Sequence, residues 1–160
     1  MSIKQNKAIV QGYLEPSQGW KELNRQIQTA ADPAAFIEKD SREVMARYFS
    51  PDCVIHWSGL GNMSYQDYLK ANIDLLKTTS DVSYTPEDMI GEGDKVMVRY
   101  TMRGIAKGPI MGFPASGKRL QVSGIMICKL AGGKIIEAWG MSDFFSMMQQ
   151  IGAIPPMGQK

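Results

Sequence analysis

Apolar positions in the first half of the chain recur at helical spacing, and those in the second half alternate with polar ones. Ile3, Ala8, Ile9 and Tyr13 predict a helix over Lys4–Leu14, stopped by Pro16. Ser17 is placed to cap a second helix with the stripe Trp20, Leu23 and Ile27. Asp32 then precedes proline at a first helical position. The polar run Glu38–Glu43 interrupts the stripe, and Asp40 with Glu43 reads as a capping pair that opens a fresh helix reaching Phe49.

Ser50-Pro51-Asp52 is a turn signal, and Cys53–Trp57 a short strand ended by Gly59 and Gly61. Ser64 with Asp67 caps a helix whose face is Tyr65, Leu69, Ile73 and Leu76. Val82–Thr85 predicts a strand running into a turn over Met89–Asp94. Clean alternation predicts strands over Lys95–Arg103 and Arg119–Leu130, separated by a glycine- and proline-rich loop over Gly104–Lys118. Ala131-Gly132-Gly133-Lys134 is a hairpin turn, and Ile135–Met141 returns antiparallel. Asp143 caps a last helix, Gly152 closes it, and Pro155-Pro156 forbids its continuation.

Helices followed by a strand meander make an α+β fold in one domain over residues 1–160. By fold-level analogy the order suggests a curved antiparallel sheet wrapped around the N-terminal helices, a cone with a central pocket.

Eighteen Lys and Arg against 16 Asp and Glu leave a net charge of +2, too small for nucleic-acid binding through a bulk positive field. No apolar run is long enough to span a membrane, and the N-terminal stretch lacks the apolar segment of a secretory signal. A cytoplasmic protein with no nucleic-acid or membrane partner is expected. Cys53 and Cys128 read as buried, reduced thiols. A single histidine without metal-ligand spacing gives no zinc signature, and there is no GxGxxG, P-loop or GxSxG motif.

His56 is the one side chain that titrates near neutrality without perturbation. Strand alternation puts it on one face with Val54, opposite Cys53, Ile55 and Trp57. Facing a cavity it would be a general base; the competing role is a histidine satisfied by backbone or water. Asp143 is accounted for by capping. Arg99 shares a strand face with Met97, and points either inward to an enolate or carboxylate or outward to solvent. Seven of the 12 methionines fall in the sheet, its loop and the last helix, where thioethers would suit an adaptable apolar cavity or ordinary core filling.

Several runs occur in a distinctive order: Phe49–Val54, Gly91–Val96, Gly112–Lys118, Gly133–Trp139, Asp143 and Gln149–Gly152. Together they resemble the SnoaL-like polyketide cyclases, a branch of the nuclear transport factor two-like cones, over roughly residues 40–153. Residues 16–39 then read as a helical insertion.

The resemblance implies homodimers or higher assemblies through the outer sheet face and an aldol ring closure without metal or cofactor. It places the family's acid/base aspartate at Gly140, and its glutamine and histidine at Gly124 and Met126. A further family histidine gives way near Ala106. Glycine transfers no proton, so the usual route is closed. The expected ligand is a small apolar or aromatic molecule bound by Met97, Arg99, Phe113, Gly124, Met126, Ala138, Gly140 and Phe144, with His56 as substitute base. On this reading the chain is a cofactor-free cyclase, isomerase or lyase. The alternative is a non-catalytic binder or scaffold dimer.

Overall fold

The computed structural model describes residues 1–155; the stop expected at Pro156 lies outside them. Five helices and six strands follow in the order α1 (Ile3–Leu14), α2 (Trp20–Thr29), α3 (Pro33–Tyr48), β1 (Phe49–Trp57), β2 (Gly61–Ser64), α4 (Tyr65–Thr78), β3 (Thr79–Glu92), β4 (Lys95–Ala106), β5 (Arg119–Ala131), β6 (Lys134–Ser142) and α5 (Phe144–Ile151). The strands form one unclosed sheet ordered β2-β1-β6-β5-β4-β3. The fold is α+β as expected, but the sheet is mixed, because β1 pairs parallel to β6 while the other neighbours are antiparallel.

Alternation gives the sheet two distinct faces. Along β5, Leu120, Val122, Gly124, Met126, Cys128 and Leu130 are buried, while Gln121, Ser123, Ile125 and Ile127 are exposed. The buried face packs on Val10 and Leu14 of α1, Ile37 and Met45 of α3, and Leu69 and Ile73 of α4. A smaller cluster under α5 joins Met147 and Ile151 to Met102, Leu120 and Val122. Both cysteines are free and buried, and burial pushes the Cys53 thiol up to about 11.

Several local signals hold. Ser64 and Asp67 form a reciprocal capping box, Asp32 accepts from the Ala35 N–H, and Asp143 accepts from the Ser146 N–H at 2.9 Å. Gly132 and Gly133 both adopt positive φ, 56° and 81°, as a two-residue hairpin turn of this hand requires.

Four expectations are corrected. α3 is continuous through Asp40: its polar run consists mostly of good helix formers, and Glu38 pairs with Lys77 of α4 at 2.6 Å. α2 is capped by Gly19 and not by Ser17. β3 runs on to Glu92, because register shifts near Ser80–Ser83 and Pro86–Asp88 absorb its irregular residues and its edge position tolerates Pro86. The short strand β2 pairs along β1, where glycines had suggested only an ending.

Candidate functional site: a cavity over glycine-aromatic rows

Strand register assembles the site. On the inner face, Tyr100 of β4, Gly124 of β5 and Ser142 of β6 lie in one cross-strand row. The next row runs Val98, Met126, Gly140 and Trp57. In each row an aromatic ring lies across a glycine. A Cβ at Gly124 would overlap the Tyr100 ring and hydroxyl, and one at Gly140 would overlap the Trp57 indole. Only a residue without a side chain admits these rings. The two positions where the resemblance implies glutamine and aspartate are thus roofed by aromatics from their neighbours.

Above these rows lies a cavity of about 590 Å³, within the range of small-molecule sites. Tyr100, Met126 and Ser142 form its floor, Ser41 and Tyr68 close it from α3 and α4, and Phe144 and Met147 come from α5. Trp20 and Leu23 of α2 also line it, so part of the 16–39 segment forms cavity wall. α2 is held there by Trp20 Nε1–H donating to the Leu14 carbonyl at 3.0 Å and Asn24 Nδ2–H donating to the Val82 carbonyl at 2.8 Å.

Aromatic rings succeed one another around the walls. Trp20 meets Tyr84 at 5.5 Å between centroids, Tyr84 meets Tyr100 at 5.6 Å, and Trp57 meets Tyr68 at 5.7 Å. The polar groups inside are mainly hydroxyls. Tyr13 and Tyr68 share a hydrogen bond of 2.9 Å, and Tyr100 and Ser142 one of 3.1 Å. Burial is the main cause raising the pKa of Tyr13, Tyr68, Tyr84 and Tyr100, so these phenols stay neutral at physiological pH. The buried Ser41 Oγ has no hydrogen-bond partner among the described residues. Asp40 lines the cavity from α3, half-buried, and burial raises its carboxyl pKa, with a smaller contribution from Glu43.

The structure separates the residues singled out in the sequence. Met126 and Phe144 line the cavity. Gly124 and Gly140 lie on the inner face beneath Tyr100 and Trp57, and Ala138 is fully buried in the core beside them. Met97 and Arg99 belong to the opposite parity of β4 and stand on the outer face, Arg99 exposed. Phe113 sits in the β4–β5 loop, 38% exposed, bonded through its backbone to Ile110.

His56 is also on the outer face, because Cys53 and Ile55 take the buried parity of β1. Its ring stacks on Trp139 at 5.4 Å. Nδ1 lies 2.8 Å from Asn62 Oδ1 and Nε2 lies 3.0 Å from Glu137 Oε1. Two acceptors facing both ring nitrogens favour the doubly protonated imidazolium, and the Asn62 and Glu137 contacts raise its pKa. The expected cavity base therefore lies on the opposite side of the sheet from the cavity.

The tyrosines and Ser142 were not found from the sequence. The available signal was the cross-strand match of Tyr100 with Gly124 and of Trp57 with Gly140, visible once register is known.

Among the described residues no helix is long and apolar enough to cross a membrane, and no three His, Cys, Asp or Glu side chains cluster as a metal ion requires. A six-stranded curved sheet packed on helices, with its cavity between them, defines a nuclear transport factor two-like cone. The sequence model of the SnoaL-like polyketide cyclases matches residues 26–151, and the chain belongs to that family.

TsrD from Streptomyces laurentii is similar in structure, at TM-score 0.73 and 25% identity over 96% of this chain and 99% of its own. AclR from Streptomyces galilaeus shares the fold at TM-score 0.74 and 21% identity, over 96% of this chain and 100% of its own. So does a protein from Jannaschia sp. CCS1 assigned to the SnoaL-like polyketide cyclases, at TM-score 0.74 and 22% identity over 97% of both chains. Comparison with curated protein sequences gives no match.

Proposed function

We propose that this chain binds a small apolar or aromatic molecule within its cone and works as a cytoplasmic homodimer. The observation that carries the binding reading is the aromatic-walled cavity of about 590 Å³, whose interior polar groups are mostly neutral hydroxyls. Flat ligands stack on such walls, and thioethers of Met102, Met126 and Met147 adapt to their outline. Support for the dimer comes from the outer sheet face, where Ile125, Ile127 and Met141 are 47%, 38% and 60% exposed around Trp139. The free cysteines suit a reducing compartment.

One observation favours a second reading, a cofactor-free cyclase, isomerase or lyase. Asp40 is a half-buried carboxyl on the cavity wall, its pKa raised toward working pH, and it belongs to no ion pair among the described residues. On that reading Asp40, and neither Gly140 nor His56, exchanges protons with the ligand.

Thermal unfolding with a panel of naphthalenes, anthraquinones and steroid ketones tests binding. A ligand at 100 times its Kd adds about 2.7 kcal/mol of stability, an upward shift of several degrees for a domain this size. A panel that moves the midpoint nowhere would contradict the binding reading. Proton exchange from the α-carbon of a bound ketone, abolished in Asp40→Asn, would support the second.

A further inference from the structure

We infer that the cavity takes an aromatic molecule carrying a protonated amine, with the Asp40 carboxylate as its counter-ion and the tyrosine and tryptophan rings holding its flat part. This rests on the binding reading above, and gives Asp40 a charge to hold where the second reading gives it a proton to move.

Charge around the cavity is one-sided. Three carboxylates line it, Asp40, Glu43 and Asp74, against the single cation Arg47. Asp74 is paired with Lys70 of its own helix, and Glu43 and Arg47 are both exposed, one turn apart on α3. Asp40 is half-buried and belongs to no ion pair among the described residues. Such a carboxylate has lost part of its hydration without gaining a cation, a deficit that a bound ammonium would remove.

Helical spacing ties this charge to the rings. Asp40, Val44 and Tyr48 recur at every fourth residue of α3, and all three line the cavity. Eight residues of helix set Asp40 and Tyr48 about 12 Å apart. The Tyr48 ring lies across Gly12 of α1 and meets Tyr13 edge-on at 6.4 Å, and Tyr13 in turn bonds Tyr68. The carboxylate therefore shares one helix face with the start of a run of aromatic rings, whose faces also attract cations. That arrangement suits a flat ring system with an amine a few bonds away.

Hydrogen bonding points the same way. An ammonium is donor-only and has three hydrogens to place. Ser41 lines the cavity beside Asp40, is only 6% exposed, and its Oγ has no partner among the described residues, so it can accept one of them. The phenol oxygens of the Tyr13–Tyr68 and Tyr100–Ser142 pairs are further acceptors. An anionic ligand would meet the reverse, repelled by Asp40 and offered only the exposed Arg47.

The test compares 2-(2-naphthyl)ethylamine with 2-propylnaphthalene, in which a methyl replaces the ammonium, and with the anion 3-(2-naphthyl)propanoate. Each is titrated by calorimetry at neutral pH into the full chain, into Asp40→Asn and into Ser41→Ala. The amine should bind the unmodified chain more tightly than the acid. The amine-to-hydrocarbon affinity ratio should fall about 10-fold in Asp40→Asn, the worth of one hydrogen bond to a charged group, while hydrocarbon affinity holds. A smaller fall is expected in Ser41→Ala. An unchanged ratio in Asp40→Asn, with both compounds still bound, would overturn the counter-ion and leave the binding reading in place. An acid bound at least as tightly as the amine, or an amine that fails to bind where the hydrocarbon binds, would do the same. Failure of all three to bind the unmodified chain would overturn both readings.

Discussion

The two faces of the sheet carry opposite chemistry. The outer face holds the imidazole, a carboxylate, an amide and a cluster of exposed aliphatic side chains around Trp139. The inner face holds aromatic rings, thioethers and hydroxyls kept neutral by burial. Side chains that look most reactive in a sequence are therefore not the ones the cavity presents. An imidazolium in the cavity would need desolvation, whereas at the outer face it meets two acceptors at a half-exposed site. Alternation by one residue decides which chemistry each side chain joins.

The largest effect is expected from restoring the family's implied carboxylate. Gly140→Asp places a buried carboxyl where the Trp57 indole lies, with no partner arranged for it. A loss of about 3 kcal/mol or more in urea unfolding is expected, without any gain of cyclase activity. Combining it with Trp57→Ala should cost less than the sum of the two single changes, since the overlap is then relieved. Additive costs would show that Trp57 does not occupy that space. Gly124→Ala is the milder form in the neighbouring row. About 1–3 kcal/mol of destabilisation is expected by urea titration, because a Cβ there overlaps the Tyr100 ring.

On the other face, Ile127→Lys should leave the unfolding of a subunit within about 0.5 kcal/mol, since Ile127 stands exposed. If the proposed dimer forms through this face, light scattering should show a dimer for the unmodified chain and a monomer for the variant. A dimer that persists would move the contact away from this face.

The smallest effect is the pH dependence of His56→Gln. The folded imidazole has a raised pKa, so its contribution is fully present below the unfolded value near 6.5 and is lost as pH rises through the folded one. The stability gap between the unmodified chain and the variant should be wider at pH 5.5 than at pH 8.5. A gap of the same size at both would detach the Asn62 and Glu137 contacts from the imidazolium.

Much of the fold was legible because its signals are local. The alternation of β4 and β5, the Ser64–Asp67 box, the Gly132-Gly133 turn and the Asp143 cap depend on residues a few positions apart. Continuity of α3 was hidden because its interrupting polar residues are supported from another helix, as Glu38 is by Lys77. At the site, alternation grouped His56 with Val54, but only packing shows that Cys53 and Ile55 take the core. The Tyr100–Gly124–Ser142 row joins three strands, and the 12-residue connection over 107–118 fixes no register that a tight turn would reveal.

Methionine-methyl NMR tests the contrast most directly, since thioethers stand on both faces. With 2-acetylnaphthalene added to chain labelled at the methionine methyls, resonances of Met102, Met126 and Met147 on the cavity wall should shift, and those of Met97 and outer-face Met141 should stay. Shifts confined to Met97 and Met141 would put the ligand on the wrong side of the sheet and contradict the account.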